Sequence, residues 1–197
     1  MKQADIPYIK NSLSGLPLMV DEDIMDRFLS TGQIRYHKKG DLIILAGQDS
    51  YEPSILLSGL IRVFFLSAEG VDVTNLFIFE NTFYGSDFLT MKKVSVCSFE
   101  ALEDCVSLVL DRKILHEVLK SDIRLLLDYT GMLEQSLNKK ILRENSLITK
   151  SATERYLDLK NEYPTIEKRV SQALIASYLG ITSVSLSRIR RGIREEN

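Results

Sequence analysis

The first half of the chain alternates short apolar runs with turn residues. Between about residues 33 and 110 the runs include LIIL, LIRVFFL, VTNLFIF and CVSLVL, separated by segments such as KKGD and SAEGVD. Strands of this length at close spacing predict an antiparallel sandwich or barrel. Glycines stand at or beside the breaks, where a tight turn costs least: Gly40, Gly47, Gly59, Gly70 and Gly85.

The pattern changes to a helical period after residue 111. Residues 112–120 predict a short helix, and Asp122 is placed to cap a much longer one that runs toward Thr149. One stripe of this helix has the 3,4,3,4 spacing of a coiled-coil seam: Ile123, Leu126, Thr130, Leu133 and Leu137. The stripe could pack on the protein's own β domain or pair with its copy in a homodimer. We favour the homodimer, because a helix of roughly 25 residues is about 38 Å long and exceeds one small barrel.

A capping box marks the start of the next segment. In Ser151-Ala152-Thr153-Glu154, the serine hydroxyl and the glutamate carboxylate can each accept the other residue's main-chain N–H. The motif predicts a helix over residues 152–163, ended by Pro164. We therefore expect a domain boundary and hinge near residues 148–151.

The following residues, SQALIASYLGITSVSLSRIRR, have the spacing of a helix-turn-helix. Ile175 and Leu179 fix one face of a first helix, and Gly180 stands where the chain must leave it in a left-handed turn. Thr182 is placed to cap a second helix, whose inward stripe is Leu186 and Ile189. The small Ala176 suits a close helix crossing. The pattern predicts a helix-turn-helix over the last part of the chain.

The outward face of the second helix carries chemistry suited to DNA. Rotation by 100° per residue places four side chains outward: Val184, Ser187, Arg188 and Arg191. Arginine can bind guanine O6 and N7 in a bidentate way, and valine can contact a thymine methyl. Ser183 and Ser185 stand near the helix N-terminus, which favours a phosphate, while Arg190 and Arg194 flank the face as candidate phosphate contacts. The alternative is a solvated helix that closes a helical bundle.

Charge is distributed unevenly along the chain. The net charge is −2, yet residues 150–197 carry 9 Lys and Arg against 6 Asp and Glu. A positive C-terminal segment on an acidic protein agrees with a polyanion as partner, although solvated charge also explains it.

Composition argues against several other classes of protein. No apolar run is long enough to cross a membrane, and the N-terminus has no secretion signal, so we expect a cytoplasmic protein without a membrane partner. Two cysteines and two separated histidines form no metal-ligand motif, and no phosphate-loop or dinucleotide motif occurs. We therefore expect no cofactor, no metal and no enzymatic activity. A cupin-like enzyme would need clustered histidines or carboxylates, and only His37 is near the β-rich region.

The chain resembles the CRP/FNR family of bacterial transcription regulators. The resemblance is carried by residues 36–41 (YHKKGD), 55–63 (ILLSGLIRV) and 83–85 (FYG), together with the helix-turn-helix. It implies an α+β fold with a cyclic-nucleotide-binding-type antiparallel β-roll, of the double-stranded jelly-roll type. The parts are a β-roll domain over residues 1–121, a dimerisation helix over 122–149 and a DNA-binding domain over 150–197.

The resemblance also assigns roles to residues of the C-terminal domain. It places Ser183, Val184 and Arg188 at base-reading positions, and Ser171, Gln172 and Ser185 near phosphates. Thr182 belongs to the same candidate surface. The partners it implies are a near-palindromic duplex DNA operator, a second copy of the chain, RNA polymerase and a small-molecule effector in the β-roll.

Two departures from the family pattern qualify these expectations. Members that bind cyclic AMP hold its phosphate with a Gly-Glu pair and, some ten residues later, an Arg-Ser pair. Here the candidate pocket consists of Gly85, Ser86 and Asp87 with Ser95 and Val96, and it has no arginine. A buried phosphate would lack its counter-charge, so cyclic AMP is not the expected effector. The chain also ends six residues after Arg191, which leaves no room for the family's β-hairpin wing, so binding should need both subunits.

The sequence therefore predicts a homodimeric, sequence-specific DNA-binding transcription regulator. A ligand in the β-roll would shift the balance between two dispositions of the DNA-binding domains about the hinge. The alternative is a small-molecule sensor that acts through a protein partner and uses its C-terminal helices for docking.

Overall fold

The computed structural model describes residues 9–10, 13, 21–48, 52–85 and 94–195. The chain divides into two compact units. Residues 1–63 and 77–134 form the first unit, and residues 64–76 and 135–197 form the second. This division falls within the long helix. The boundaries predicted near residues 121 and 149 stay predictions.

The β region forms two four-stranded sheets, which confirms the predicted antiparallel β architecture. The strand orders are β1-β8-β3-β6 and β2-β7-β4-β5. The strands are β1 Gln33–His37, β2 Leu42–Ile44, β3 Ser54–Ser58, β4 Ile61–Leu66, β5 Asp72–Ile78, β6 Thr82–Tyr84, β7 Ser98–Ala101 and β8 Cys105–Val109. Strand β8 pairs antiparallel with both β1 and β3.

Five of the described helices begin and end close to the predicted residues, whereas the sequence predicted no bounds for those at 22–31 and 166–169. The described helices are α1 Glu22–Thr31, α2 Arg112–Ser121, α3 Ile123–Thr149, α4 Ala152–Glu162, α5 Ile166–Arg169, α6 Gln172–Leu179 and α7 Ser183–Glu195. The capping box at Ser151 is present in full: Ser151 Oγ accepts from the Glu154 N–H at 3.2 Å, and Glu154 Oε2 accepts from the Ser151 N–H at 2.8 Å.

The alternation of side chains along β3 divides the first unit into two cores. Leu56 points between the sheets, where it packs with Ile44, Tyr84 and Phe99. Its neighbours Ile55 and Leu57 belong to the other core, which includes residues of α1, α2 and the start of α3. Since successive side chains of a strand face opposite ways, both faces of this sheet are covered.

The turn between β3 and β4 requires glycine at position 59. Gly59 has a φ of 97°, and a Cβ there would lie 2.6 Å from Cys105 Sγ and 2.8 Å from Asp104 O. Backbone strain and steric overlap therefore act together.

Replacing Gly59 with alanine is expected to lower the free energy of unfolding by roughly 2–5 kcal/mol, measured by denaturant titration. Gly70 is the matched control, because it has a φ of 76° but open space around a Cβ. Gly70→Ala should cost only about 1 kcal/mol. Equal losses for the two variants would show that the close approach at Gly59 contributes nothing.

Candidate nucleic-acid interface

Helices α6 and α7 meet through a three-residue turn that follows from local chemistry. Gly180 ends α6 with a φ of 68° and a ψ of 34°, the left-handed conformation that glycine adopts without strain. Thr182 Oγ1 accepts from the Ser185 N–H at 3.1 Å and so caps α7. Ser171 Oγ accepts from the Leu174 N–H and caps α6. The predicted helix-turn-helix geometry is present.

The inward side of this pair is closely packed. Ile175, Ala176, Leu179 and Leu186 are all buried, with Leu186 completely enclosed. Ile189 is partly buried on the same side. The orientation of α7 about its own axis is thus set by its apolar residues.

The outward side of α7 is exposed to solvent. Val184 is 61% exposed, and Ser183, Ser187, Arg188 and Arg191 are also exposed. Arg191 makes only a loose contact of 3.9 Å with the exposed Glu195, so its guanidinium can reorient. Ser171 and Gln172 are exposed at the start of α6. Serine, arginine and a single aliphatic side chain on one accessible helix face can form hydrogen bonds and methyl contacts with base edges.

Two residues of the candidate surface have local structural partners. Ser185 is partly buried, and its hydroxyl lies 3.0 Å from the Thr182 hydroxyl. Thr182 caps α7, so part of its hydrogen-bonding capacity is used within the helix.

Arg190, which the sequence predicts as a phosphate contact, is mostly enclosed and paired within the protein. Its side chain is 20% exposed, and its Nε lies 2.9 Å from Glu167 Oε1. Tyr156 donates from its hydroxyl to the same oxygen at 2.7 Å, and Lys160 Nζ lies 3.4 Å from the other. Burial opposes ionisation of Glu167, but the Tyr156 hydrogen bond and the two cations hold its pKa below the usual value. Arg190 therefore ties α7 to α4 and α5.

Replacing Arg190 with alanine is expected to lower the free energy of unfolding by roughly 1–3 kcal/mol, because the Glu167 carboxylate loses a charged hydrogen bond. The salt dependence of DNA binding should stay unchanged, since no phosphate contact is removed. Denaturant titration and binding at several salt concentrations measure the two effects. Arg194→Ala, on the exposed part of the same helix, is the control that should leave stability unchanged. A normal stability with a smaller salt slope in Arg190→Ala would contradict this role.

The long helix α3 presents its apolar residues on two sides. Leu125 and Tyr129 are buried in the helix-facing core of the first unit, and Leu126 is partly buried against that core. Of the predicted seam, Ile123, Thr130, Leu133 and Leu137 are exposed. Leu126 is thus less accessible than the rest of the predicted seam. The exposed Leu127 lies beside that seam, and Ile141 and Ile148 extend the exposed stripe.

The predicted β-roll pocket is only partly described. Ser86 and Asp87 lie outside the described residues. Gly85 is buried with a φ of 69°. Ser95 is 2% exposed and donates its hydroxyl to Cys97 O at 2.7 Å, whereas Val96 is largely exposed. The Ser95 hydroxyl thus forms its hydrogen bond within a local turn of the protein.

A cavity of about 110 Å³ opens elsewhere in the β-roll. Its polar lining comprises Arg35, His37, Gln48, Glu52, Ser54 and Tyr84. Arg35 Nη2 and Glu52 Oε2 lie 2.6 Å apart, and Tyr84 donates to Ser107 Oγ at 2.7 Å. The Nε2 of His37 is buried and has no hydrogen-bond partner among the residues that the structure describes, and burial lowers the pKa of this imidazole. Gly85, Ser95 and Val96 do not line this cavity.

Within the described ranges of the chain, no three His, Cys, Asp or Glu side chains come together as metal ligands. The helices described above include none with the length and apolarity that a membrane crossing requires.

Comparison with known proteins agrees with this architecture. Residues 34–122 match the family model of the cyclic nucleotide-binding domain. No curated protein sequence matches the chain. Among solved structures, FixK2 from Bradyrhizobium japonicum is 17% identical with a TM-score of 0.74, covering 84% of this chain and 86% of that one.

Two further structures extend the likeness over most of the chain. The c-di-GMP responsive global regulator CLP of Xanthomonas campestris is 13% identical with a TM-score of 0.73, covering 89% and 93% of the two chains. A protein described as a CRP/FNR-family regulator from Eubacterium rectale is 18% identical with a TM-score of 0.70, covering 89% and 84%. Part of the chain thus matches the cyclic nucleotide-binding domain, and the chain has the fold of these solved structures, as its sequence predicted.

Proposed function

We propose that this chain, with its cyclic nucleotide-binding domain and CRP/FNR-type fold, is a homodimeric, sequence-specific DNA-binding transcription regulator. The observation that carries the proposal is the outward face of α7. The buried side of this helix fixes its rotation, and Val184 and Arg188 are left exposed on a face that has no other large apolar residue. A helix of this kind fits the major groove, where the two side chains can read a methyl group and a guanine.

The exposed stripe of α3 supports the homodimer. Leu127, Leu137, Ile141 and Ile148 are large apolar side chains that a single copy leaves in water. A helix of 27 residues spans about 40 Å, long enough to bury such a stripe against its copy. A two-fold axis through that pair would set two recognition helices roughly 34 Å apart, so the operator should be a near-palindrome.

The β-roll supports an effector other than cyclic AMP. Arg62, an arginine inside the roll, is buried and already paired with Glu100. The described residues 94–98 add no cation that could neutralise a cyclic phosphate. The cavity beside Arg35 and His37 is instead lined by a balanced ion pair and neutral hydrogen-bonding groups, which suits a small polar ligand without net charge.

Selection of duplexes from a random DNA pool tests the proposed function. The full chain should enrich sequences with two-fold symmetry and half-sites one helical turn apart. If no sequence is enriched after several rounds of selection at low salt, the result would contradict sequence-specific DNA binding. Tight binding of a small ligand by the same preparation would then favour regulation through a protein partner.

A further inference from the structure

Two arginines cap the C-terminal end of α6, the first helix of the helix-turn-helix. Arg143, on α3, donates from Nη2 to Tyr178 O at 2.9 Å, and Arg155, on α4, donates from Nη2 to Leu179 O at 3.1 Å. Both carbonyls belong to the last turn of α6 and lie beyond its final main-chain bonds, in which Gly180 and Ile181 donate to Ser177 O and Ala176 O. A cation at this end also opposes the negative end of the helix dipole. The turn through Gly180 into α7 is therefore held by two side chains.

Arg143 also binds the main chain of the hairpin formed by β4 and β5. Its Nε donates to Asn75 O at 2.9 Å, and its Nη2 lies 3.4 Å from Thr74 O. The buried Thr74 donates its N–H to Ser177 Oγ, on α6, at 2.9 Å. Residues 64–76 and the helix-turn-helix are in the same compact unit, and one cation and one hydroxyl join them.

This arrangement is specific for arginine. Arg143 is half-buried, and its hydrogen bonds among the described residues go to main-chain carbonyl oxygens. Burial lowers the pKa of its guanidinium. Three carbonyl oxygens accept hydrogen bonds from this group, and its Cζ lies 4.1 Å from the centroid of the Tyr178 ring. A planar guanidinium donates in several fixed directions and stacks on an aromatic face, whereas a lysine ammonium does neither. The contacts are all satisfied only when the hairpin, α3 and α6 take one relative position.

We infer that Arg143 is a positioning residue for DNA recognition. By joining residues 74–75 to the end of α6, it fixes the direction in which α7 leaves the turn. Hairpin residues 64–76 thereby help to orient the helix that contacts DNA. The inference rests on the proposed DNA-binding function, but Arg143 itself needs no contact with DNA.

The test compares the full-length variants Arg143→Lys and Lys139→Gln with the unaltered chain. Lys139 is one turn earlier on α3, in an exposed ion pair with Glu162, and is the matched control. Arg143→Lys should lose at least tenfold in affinity for the selected duplex and less than twofold for a random-sequence duplex, with an unchanged salt slope. Hydrogen exchange should become faster at Thr74 and at residues 178–182. Lys139→Gln should match the unaltered chain in every measurement.

The outcomes separate this inference from the proposed function. Equal affinity of Arg143→Lys and the unaltered chain for the selected duplex overturns the inference and leaves the proposed function standing. An equal loss on both duplexes also overturns it, because general destabilisation then explains the effect. A chain that binds no duplex at all overturns the proposed function first.

A second variant keeps the inference testable if Arg143→Lys does not fold. Ser177→Ala removes only the acceptor of the Thr74 N–H. A threefold or larger loss on the selected duplex, with faster exchange of the Thr74 amide, supports the inference. Unchanged affinity and exchange overturn it.

Discussion

Replacing Arg188 with alanine is expected to weaken binding to the selected duplex, making the free energy of binding less favourable by roughly 1–3 kcal/mol in each half-site. Arg188 is exposed at the centre of the outward face of α7, where its guanidinium can donate two hydrogen bonds to guanine O6 and N7. The loss should be confined to duplexes that carry the preferred base pair at one position. Titration of the variant with duplexes substituted at each position measures both the size and the location of the effect.

Arg194 offers a control of the same charge on the same helix. Arg194→Ala should weaken binding to all duplexes alike and reduce the salt slope by about 1, as expected for a phosphate contact. If Arg188→Ala behaves in this uniform way as well, Arg188 contacts the DNA backbone and reads no base.

A double substitution on α3, Leu137→Asp with Ile141→Asp, is expected to give a monomer that binds DNA at least about 100-fold more weakly than the unaltered chain. Leu137 is 57% and Ile141 52% exposed in the single chain, and each would be buried in a helix pair. Two carboxylates brought into such an interface lose their hydration without gaining a partner. With the pair broken, each recognition helix binds its half-site alone.

Gln135→Asp is the control for this prediction. Gln135 is exposed on the opposite side of α3, so a carboxylate there should leave the dimer intact. Sedimentation equilibrium measures the association of the two copies, and titration with DNA measures the affinity for the duplex. A double variant that remains dimeric would show that the stripe on α3 is not the interface.

The parts of the fold that could be predicted from the sequence depend on local chemistry. The capping box at Ser151 and the left-handed turn at Gly180 each need only a few neighbouring residues, and both are present. The outward position of Val184 and Arg188 followed from helical rotation, because the apolar residues of α7 leave one orientation.

The remaining features depend on contacts between distant segments. Helical rotation places Arg190 beside the outward face, but its ion pair with Glu167, on α5, holds the side chain against the neighbouring helices. Leu126 and Leu127 fit coiled-coil spacings equally well, and only the core around Leu125 and Tyr129 decides which one is exposed.

The polar cavity could have been found from one signal in the sequence. Arg35 and His37 are two residues apart on a strand, a spacing that places both on one face. The sequence does not show that this face points toward Ser54 and Tyr84, because that depends on the pairing of β1 with β8 and of β8 with β3.

We expect the outward face of α7 to lie in the major groove, with Arg188 against a guanine. Methylation interference on the selected duplex tests it most directly, because a methyl group on guanine N7 blocks that contact. We predict interference at one guanine in each half-site for the unaltered chain, and its loss from those two guanines alone in Arg188→Ala. An interference pattern that is the same for both proteins would contradict this expectation.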